Sequence, residues 1–205
     1  MKYVNAIYKE NKYSFWFLSL VWILAFYFLA TKEKEFLVLY CNENRTLALD
    51  QLFSWLTKFG EGEFCVFVCI VVTISNWKNG LFISLAVGIN SLIAQFLKKI
   101  VFPSSNRPFH YFSDVLKPIA GQEYHSSFSF PSGHTMAAMS VFFCVSLLTK
   151  NKPLKILSLC IGLLTAISRV YLGQHFLEDI TVASLLAVAL TYMYYTIYLK
   201  KINIQ

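Results

Sequence analysis

Apolar residues in this chain fall into six runs separated by polar, mostly lysine-bearing segments, a pattern of helices rather than of alternating strands. The first run, about Ser14 to Ala30, follows a head containing Lys2, Lys9 and Lys12. It is long, and Phe28-Leu29-Ala30 lacks a small-x-small cleavage pattern, so it predicts a retained signal anchor whose N-terminal side is cytoplasmic. The second run, Phe64 to Ser75, is short for a hydrocarbon core of about 30 Å and must borrow flanking residues or be shielded by neighbours. Gly80 to Leu97, Pro131 to Leu148, Leu154 to Ser168 and Asp179 to Leu199 give the remaining four. Residues 32–63 form a polar outer segment in which Leu47, Leu49, Leu52, Phe53 and Leu56 are interspersed with Asp50, Gln51 and Lys58. That spacing predicts an amphipathic helix on the membrane surface, ended by Gly60 and Gly62. The expected fold is all-α: an integral-membrane bundle of six transmembrane helices with an amphipathic outer-surface helix, in one domain over residues 1–205.

Composition sharpens this picture. With 57% hydrophobic and 14% charged residues, the chain is too apolar for an ordinary soluble domain. Its net charge of +7 is not a nucleic-acid signal, because the lysines sit at the ends of apolar runs rather than in a basic tract. Six spans with both termini inside place nine of the eighteen basic residues in short inner segments. These are Lys2, Lys9, Lys12, Lys78, Lys150, Lys152, Lys155, Lys200 and Lys201, a density that fits the positive-inside rule. The composition is consistent with a bacterial inner membrane. Of the five cysteines, all but Cys41 lie in apolar runs, and neither a disulfide framework nor a zinc spacing follows. Trp16, Trp22, Trp55 and Trp77 are expected as core or interfacial anchors.

The same topology brings three polar clusters to the outer face. Ser129-Phe130-Pro131-Ser132-Gly133-His134-Thr135 opens the fourth span, with Pro131 suited to a first helical turn and Gly133 allowing backbone close to a ligand. A helix N-terminus there offers free N–H groups and the positive end of the helix dipole to an anion. Ser168-Arg169-x5-His175-x3-Asp179 supplies a guanidinium, an imidazole and a carboxylate, and Lys99-x7-Arg107-Pro108 adds two cations. If helix begins near His175, the i to i+4 spacing puts Asp179 on the same face, as an acceptor that fixes the imidazole tautomer.

These residues resemble the type 2 phosphatidic acid phosphatase family, whose pattern reads K-x6-RP, PSGH and SR-x5-H-x3-D. The second and third parts match letter for letter. The first has seven residues between Lys99 and Arg107, and Lys99 is expected to take the family lysine role because Lys98 lies farther from Arg107. The resemblance covers roughly residues 80–195. It implies that His175 attacks phosphorus to form a phosphohistidine, and that His134 protonates the leaving alkoxide and then activates water. Lys99, Arg107, Arg169 and the amides around Ser132 and Gly133 are expected to bind the phosphate.

The implied activity is a lipid phosphatase at the outer membrane interface, with no metal and no cofactor, and with an optimum at mildly acidic to neutral pH. Family substrates are phosphatidate, phosphatidylglycerol phosphate, undecaprenyl diphosphate and lipid A phosphates. Two alternatives stay open: a phosphotransferase that passes the phosphoryl group to an alcohol, and a non-catalytic lipid-phosphate-binding or transport protein. His110 and His125 are expected as loop or substrate-contact residues, and Tyr171, Gln174 and Glu178 as candidates for lining the mouth of the site. Membrane lipids are the expected surroundings, and the oligomeric state is left open.

Overall fold

In the computed structural model, backbone is described for residues 2–202 and side chains for residues 7–200. The side chains of Lys2 and Lys201, which enter the inner charge count, lie outside that range. Helices α1 (Lys2–Thr31), α2 (Phe36–Glu43), α3 (Leu47–Leu56), α4 (Gly62–Ser75), α5 (Trp77–Phe96), α6 (Pro108–Phe112), α7 (Gly133–Leu148), α8 (Lys152–Tyr171) and α9 (Leu177–Ile202) account for the regular structure, with short turns of tighter helix at Thr57–Gly60 and wider helix at Leu97–Val101. Among the described residues no strand forms. The one extended pairing is a single bridge between Asn106 and Ser127.

Among the described residues, four helical segments are long and apolar enough to cross a membrane: Ile7–Thr31, Trp77–Val101, Lys152–Tyr171 and Leu177–Lys200. This is an integral membrane protein. The two remaining apolar helices, α4 and α7, are shorter. At about 1.5 Å per residue they measure roughly 21 and 24 Å, less than the hydrocarbon core.

Helix α7 is apolar on every side, the pattern of a helix surrounded by others, and it occupies the centre. Met136, Met139, Val141, Phe143 and Cys144 are fully buried, where α5, α8 and α9 pack round them. Gly162 of α8 lets that helix approach: a Cβ there would stand 3.0 Å from the Met139 sulfur. By contrast α1 presents Trp16, Leu20 and Ile23 outward, each about two-thirds exposed, as lipid-facing residues are.

Polar side chains stitch the bundle where lipid could not satisfy them. Asn90 is fully buried and donates to Ser140 Oγ at 2.7 Å and Thr191 Oγ1 at 3.1 Å, joining α5 to α7 and α9. At the opposite end from the polar motif clusters, Lys155 donates to Asn11 Oδ1 at 2.6 Å and to the Ser146 carbonyl at 2.9 Å. Lys155, expected in an inner return, is thus a buried residue of α8 that clamps α1 and α7.

The outer segment is helical where its spacing predicts, with Leu47, Leu49, Leu52, Phe53 and Leu56 all in α3, and holds a further helix before it. It forms α2, α3 and the Thr57–Gly60 turn. Leu47, Leu52 and Trp55 of α3 are exposed, but Phe53 stacks on Tyr171 with ring centroids 4.3 Å apart. Arg45 pairs with Asp50 at 2.8 Å, and Asp50 also accepts from the Tyr171 hydroxyl at 2.7 Å. Together these contacts fasten α3 to the end of α8.

Only Asn76 separates α4 from α5, and its side chain caps α5 by accepting from the Asn79 N–H at 3.0 Å. The turn brings Gly80 against α4 so closely that a Cβ there would lie 2.4 Å from Thr73 Cα. Because the obstacle is backbone, Gly80→Ala is expected to force the helices apart at a cost of about 1–3 kcal/mol. A lowered unfolding temperature in detergent checks this, and unchanged melting would contradict it.

Candidate active site

Three helix termini meet at one end of the bundle. Ser132 caps α7, accepting from the Thr135 N–H at 3.4 Å and the Thr135 hydroxyl at 3.0 Å. Pro131 therefore precedes the cap instead of standing in the first turn. Ser132's own N–H donates to the Asp179 carbonyl at 3.2 Å, so this residue builds the site from within. The N–H groups of Gly133 and His134 belong to the first turn, where a helix has no internal acceptor for them.

The end of α8 explains the five-residue gap between Arg169 and His175. Gly173 adopts φ +66°, a left-handed conformation that ends a helix and that glycine takes most readily. Its N–H bonds to the Val170 carbonyl at 3.0 Å, and the N–H groups of Gln174 and His175 both reach the Arg169 carbonyl, at 2.9 and 3.1 Å. This wrapped cap returns His175 to the level of Arg169.

The start of α9 explains the last gap. Helix begins at Leu177, two residues beyond His175, so Asp179 meets the imidazole by folding back from the first turn rather than along one helical face. Asp179 Oδ2 accepts from the Phe176 N–H at 2.9 Å, half of a capping box. The same oxygen lies 3.2 Å from His175 Nδ1 and accepts from Ser129 Oγ at 2.5 Å. An ionised carboxylate only accepts. With Asp179 ionised, the imidazole would carry its proton on Nδ1 and Nε2 would keep a lone pair.

Around this pair the structure gathers cations, with one change from expectation. Lys98, not Lys99, enters the site. Lys98 is 8% exposed, its Nζ would lie 3.8 Å from a Cβ on Gly133, and it stands within electrostatic reach of Arg107, Asp179 and Arg169. Lys99 faces out. The reason is register: the buried positions Asn90, Ala94 and Lys98 follow one another at i+4, and Lys99 is turned about 100° away. The wider turn at Leu97–Val101, closed by the Phe102 N–H to the Leu97 carbonyl at 2.8 Å, leaves the loop to span the added distance to Arg107.

Arg107 caps α6 and donates from Nε to the Ser127 carbonyl and from Nη1 to Gln174 Oε1, both at 3.0 Å. Arg169 is 6% exposed and donates from Nη1 to Thr57 Oγ1 at 2.6 Å, while its buried Nε has no protein acceptor. His134 lies within electrostatic reach of Arg169, His175, Lys98 and Arg107. The Thr57–Gly60 turn closes that side, since a Cβ on Gly60 would come 2.8 Å from the His134 carbonyl oxygen. Thr57 and Gly60 are lining residues that motif reasoning missed, Ser129 stood in the quoted stretch without a role, and Lys98 was set aside for Lys99. Only the i+4 stripe leading to Lys98 was visible in the sequence.

The residues considered for the mouth of the site separate. His110 and His125 are exposed. Glu178 is on the surface and pairs with Lys34 at 2.5 Å. Tyr171 is buried and held by Asp50, and Gln174, 2% exposed, is an interior residue.

A fully enclosed imidazole beside cations resists protonation. Burial first, and then the charges of Arg107, Arg169 and Lys98, hold His175 well below the ordinary histidine value. Burial likewise lowers Arg107, and the Asp179 charge opposes that shift. The arrangement can hold a tetrahedral anion against an unprotonated ring nitrogen.

Fold and site together define a class: an integral-membrane helical bundle with a cationic, two-histidine centre at one end. The chain belongs to the PAP2 superfamily, whose sequence profile matches residues 79–203. It is 29% identical over 147 residues to phosphatidylglycerophosphatase B of Bacillus subtilis (strain 168), a match that takes in 64% of this chain and 66% of that protein. The fold is shared with the crystal structure described as the first transmembrane PAP2 type phosphatidylglycerolphosphate phosphatase from Bacillus subtilis. There the TM-score is 0.69 and identity 25%, over 94% of this chain and 97% of that one. Aquifex aeolicus LpxE has the same fold at a TM-score of 0.68 and 22% identity, over 77% of this chain and 92% of its own.

A neutral His175 also ties stability to pH. Its folded value lies below the unfolded value of about 6.5, so beneath that pH the unfolded chain binds more protons than the native one. The stability it allows is complete above about pH 6.5 and is lost progressively as the pH falls. The melting temperature is expected to drop between pH 7 and pH 5, and to drop less in His175→Asn. An equal drop in both would contradict the assignment.

Proposed function

We propose that this protein is a membrane phosphatase that hydrolyses a lipid phosphate monoester through a phosphohistidine on His175. The observation that carries this reading is the Asp179 carboxylate on His175 Nδ1, which turns the Nε2 lone pair into a nucleophile amid Lys98, Arg107 and Arg169. The Bacillus subtilis names among the matches, which are of phosphatidylglycerol phosphate phosphatase, favour that lipid as substrate.

In the first step Nε2 of His175 attacks phosphorus, and the bond from phosphorus to the alcohol oxygen breaks. His134 gives its proton to that oxygen. Charge spreads over the three equatorial oxygens in such a transition state, where Lys98 acts as a point charge and the two arginines as planar forks. Arg169 Nε, without a protein acceptor, is one donor for those oxygens. In the second step His134, now neutral, takes a proton from water. The resulting oxygen attacks phosphorus, the bond to Nε2 breaks, and orthophosphate leaves.

Asp179 stabilises the positive charge that develops on His175 in both steps, as the orienting carboxylate does in a serine triad. The proposed topology has six spans, both termini in the cytoplasm and the site at the outer interface. It is supported by the two short apolar helices beside the four long ones, and by the lysines at the far end of the bundle. A site at that level lets a lipid keep its tails in the bilayer while its phosphate reaches His175.

Phosphate release from phosphatidylglycerol phosphate in detergent, compared across phosphatidate, undecaprenyl diphosphate and a lipid A phosphate, tests the proposal. His175→Ala is expected to lower the rate by at least about a thousandfold. Lys98→Ala should lower it about a hundredfold, and Lys99→Ala should leave it within about twofold of the parent. Equal release by the His175 variant, or the opposite ranking of the lysines, would overturn the corresponding assignment.

A further inference from the structure

Arginine in an anion site presents two problems at once. Its fork must point at the ligand, yet the usual orienting partner, a carboxylate, would neutralise the charge that the ligand needs. Arg107 comes from the long loop between α5 and α7 and has no carboxylate within ion-pair distance among the described residues. What holds its guanidinium is two neutral acceptors, the Ser127 carbonyl and Gln174 Oε1.

Gln174 is itself immobilised. It is 2% exposed, and its Nε2 donates to the Glu123 carbonyl at 2.8 Å. This fixes the amide orientation, because the reverse would set NH2 against the guanidinium and oxygen against a carbonyl. Its main chain is equally committed, with its N–H on the Arg169 carbonyl at 2.9 Å. One residue thus touches both arginines and immediately precedes His175.

We propose that Gln174 is a positioning residue that aims Arg107 at the substrate phosphate while leaving its charge uncompensated. It links the loop carrying Arg107 to the capped segment carrying Arg169 and His175, so the two forks keep a fixed separation. The role rests on the phosphate-site reading above and adds a residue outside the motif positions. Ser127 alone would leave the guanidinium free to swing about its Nε bond, and a weaker hold on phosphate is the expected result.

A double-mutant cycle isolates this role, since a residue that acts only through Arg107 loses its effect when Arg107 is gone. The full-length parent, Gln174→Leu, Arg107→Ala and the double variant are compared in two ways. One is KM and kcat on phosphatidylglycerol phosphate, and the other is the orthophosphate concentration that gives half the maximal rise in melting temperature. Gln174→Leu is expected to raise KM and the orthophosphate midpoint about tenfold with kcat within about threefold. In the Arg107→Ala background the same change should move each by less than about twofold.

Gln174→Met, close in length and without either hydrogen bond, repeats the cycle if the leucine variant does not fold. Additive effects in the two backgrounds, or a loss of kcat without a change in KM, would overturn the proposal by showing that Gln174 acts on His175 or on packing. Orthophosphate coupling without turnover would retain the positioning role and refute the phosphatase reading. Neither turnover nor an orthophosphate response in the parent would refute both.

Discussion

Like charges that are buried near one another repel more strongly than they do in water, because the medium between them screens them poorly. Lys98, Arg107 and Arg169 are gathered in this way with one buried carboxylate among the described residues, Asp179, already engaged by His175, Ser129 and the Phe176 N–H. Such an excess of positive charge favours an anion, as the proposed phosphate site requires. The structure must therefore hold the cations by means other than ion pairs.

It does so with neutral groups and chain ends. Arg169 rests on the Thr57 hydroxyl, Arg107 on a carbonyl and an amide, and Lys98 against the glycine that opens α7. The segments that carry chemistry are a wrapped cap on α8 and a folded-back first turn on α9, both defined by backbone hydrogen bonds. Tertiary polar ties lower in the bundle, such as Asn90 to Ser140 and Thr191, keep α5, α7 and α9 in register beneath them. The rigidity of the apolar bundle is thus what lets repelling charges share one end.

Much of this was legible in the residues. Uninterrupted apolar runs mark the helices, and the spacing of Arg169, Gly173, His175 and Asp179 encodes a helix end followed by a helix start. Counting residues between Lys99 and Arg107 misled because linear distance says nothing about helical face, whereas Asn90, Ala94 and Lys98 at i+4 point inward together. Thr57 and Gln174 carry no motif, and their roles exist only once α3, the outer loop and the end of α8 have come together. Helix α2 was also hidden, since the apolar spacing from Leu47 to Leu56 marks α3 alone.

The most direct test of the central claim is the position of the phosphoryl group on the enzyme. The protein would be mixed with phosphatidylglycerol phosphate, quenched by denaturation at neutral to alkaline pH, and examined by mass spectrometry and phosphorus NMR. With Nδ1 committed to Asp179, phosphate is expected on His175 at Nε2, and absent from His175→Ala. Label on Nδ1, on His134, or on no histidine while hydrolysis proceeds would contradict the account.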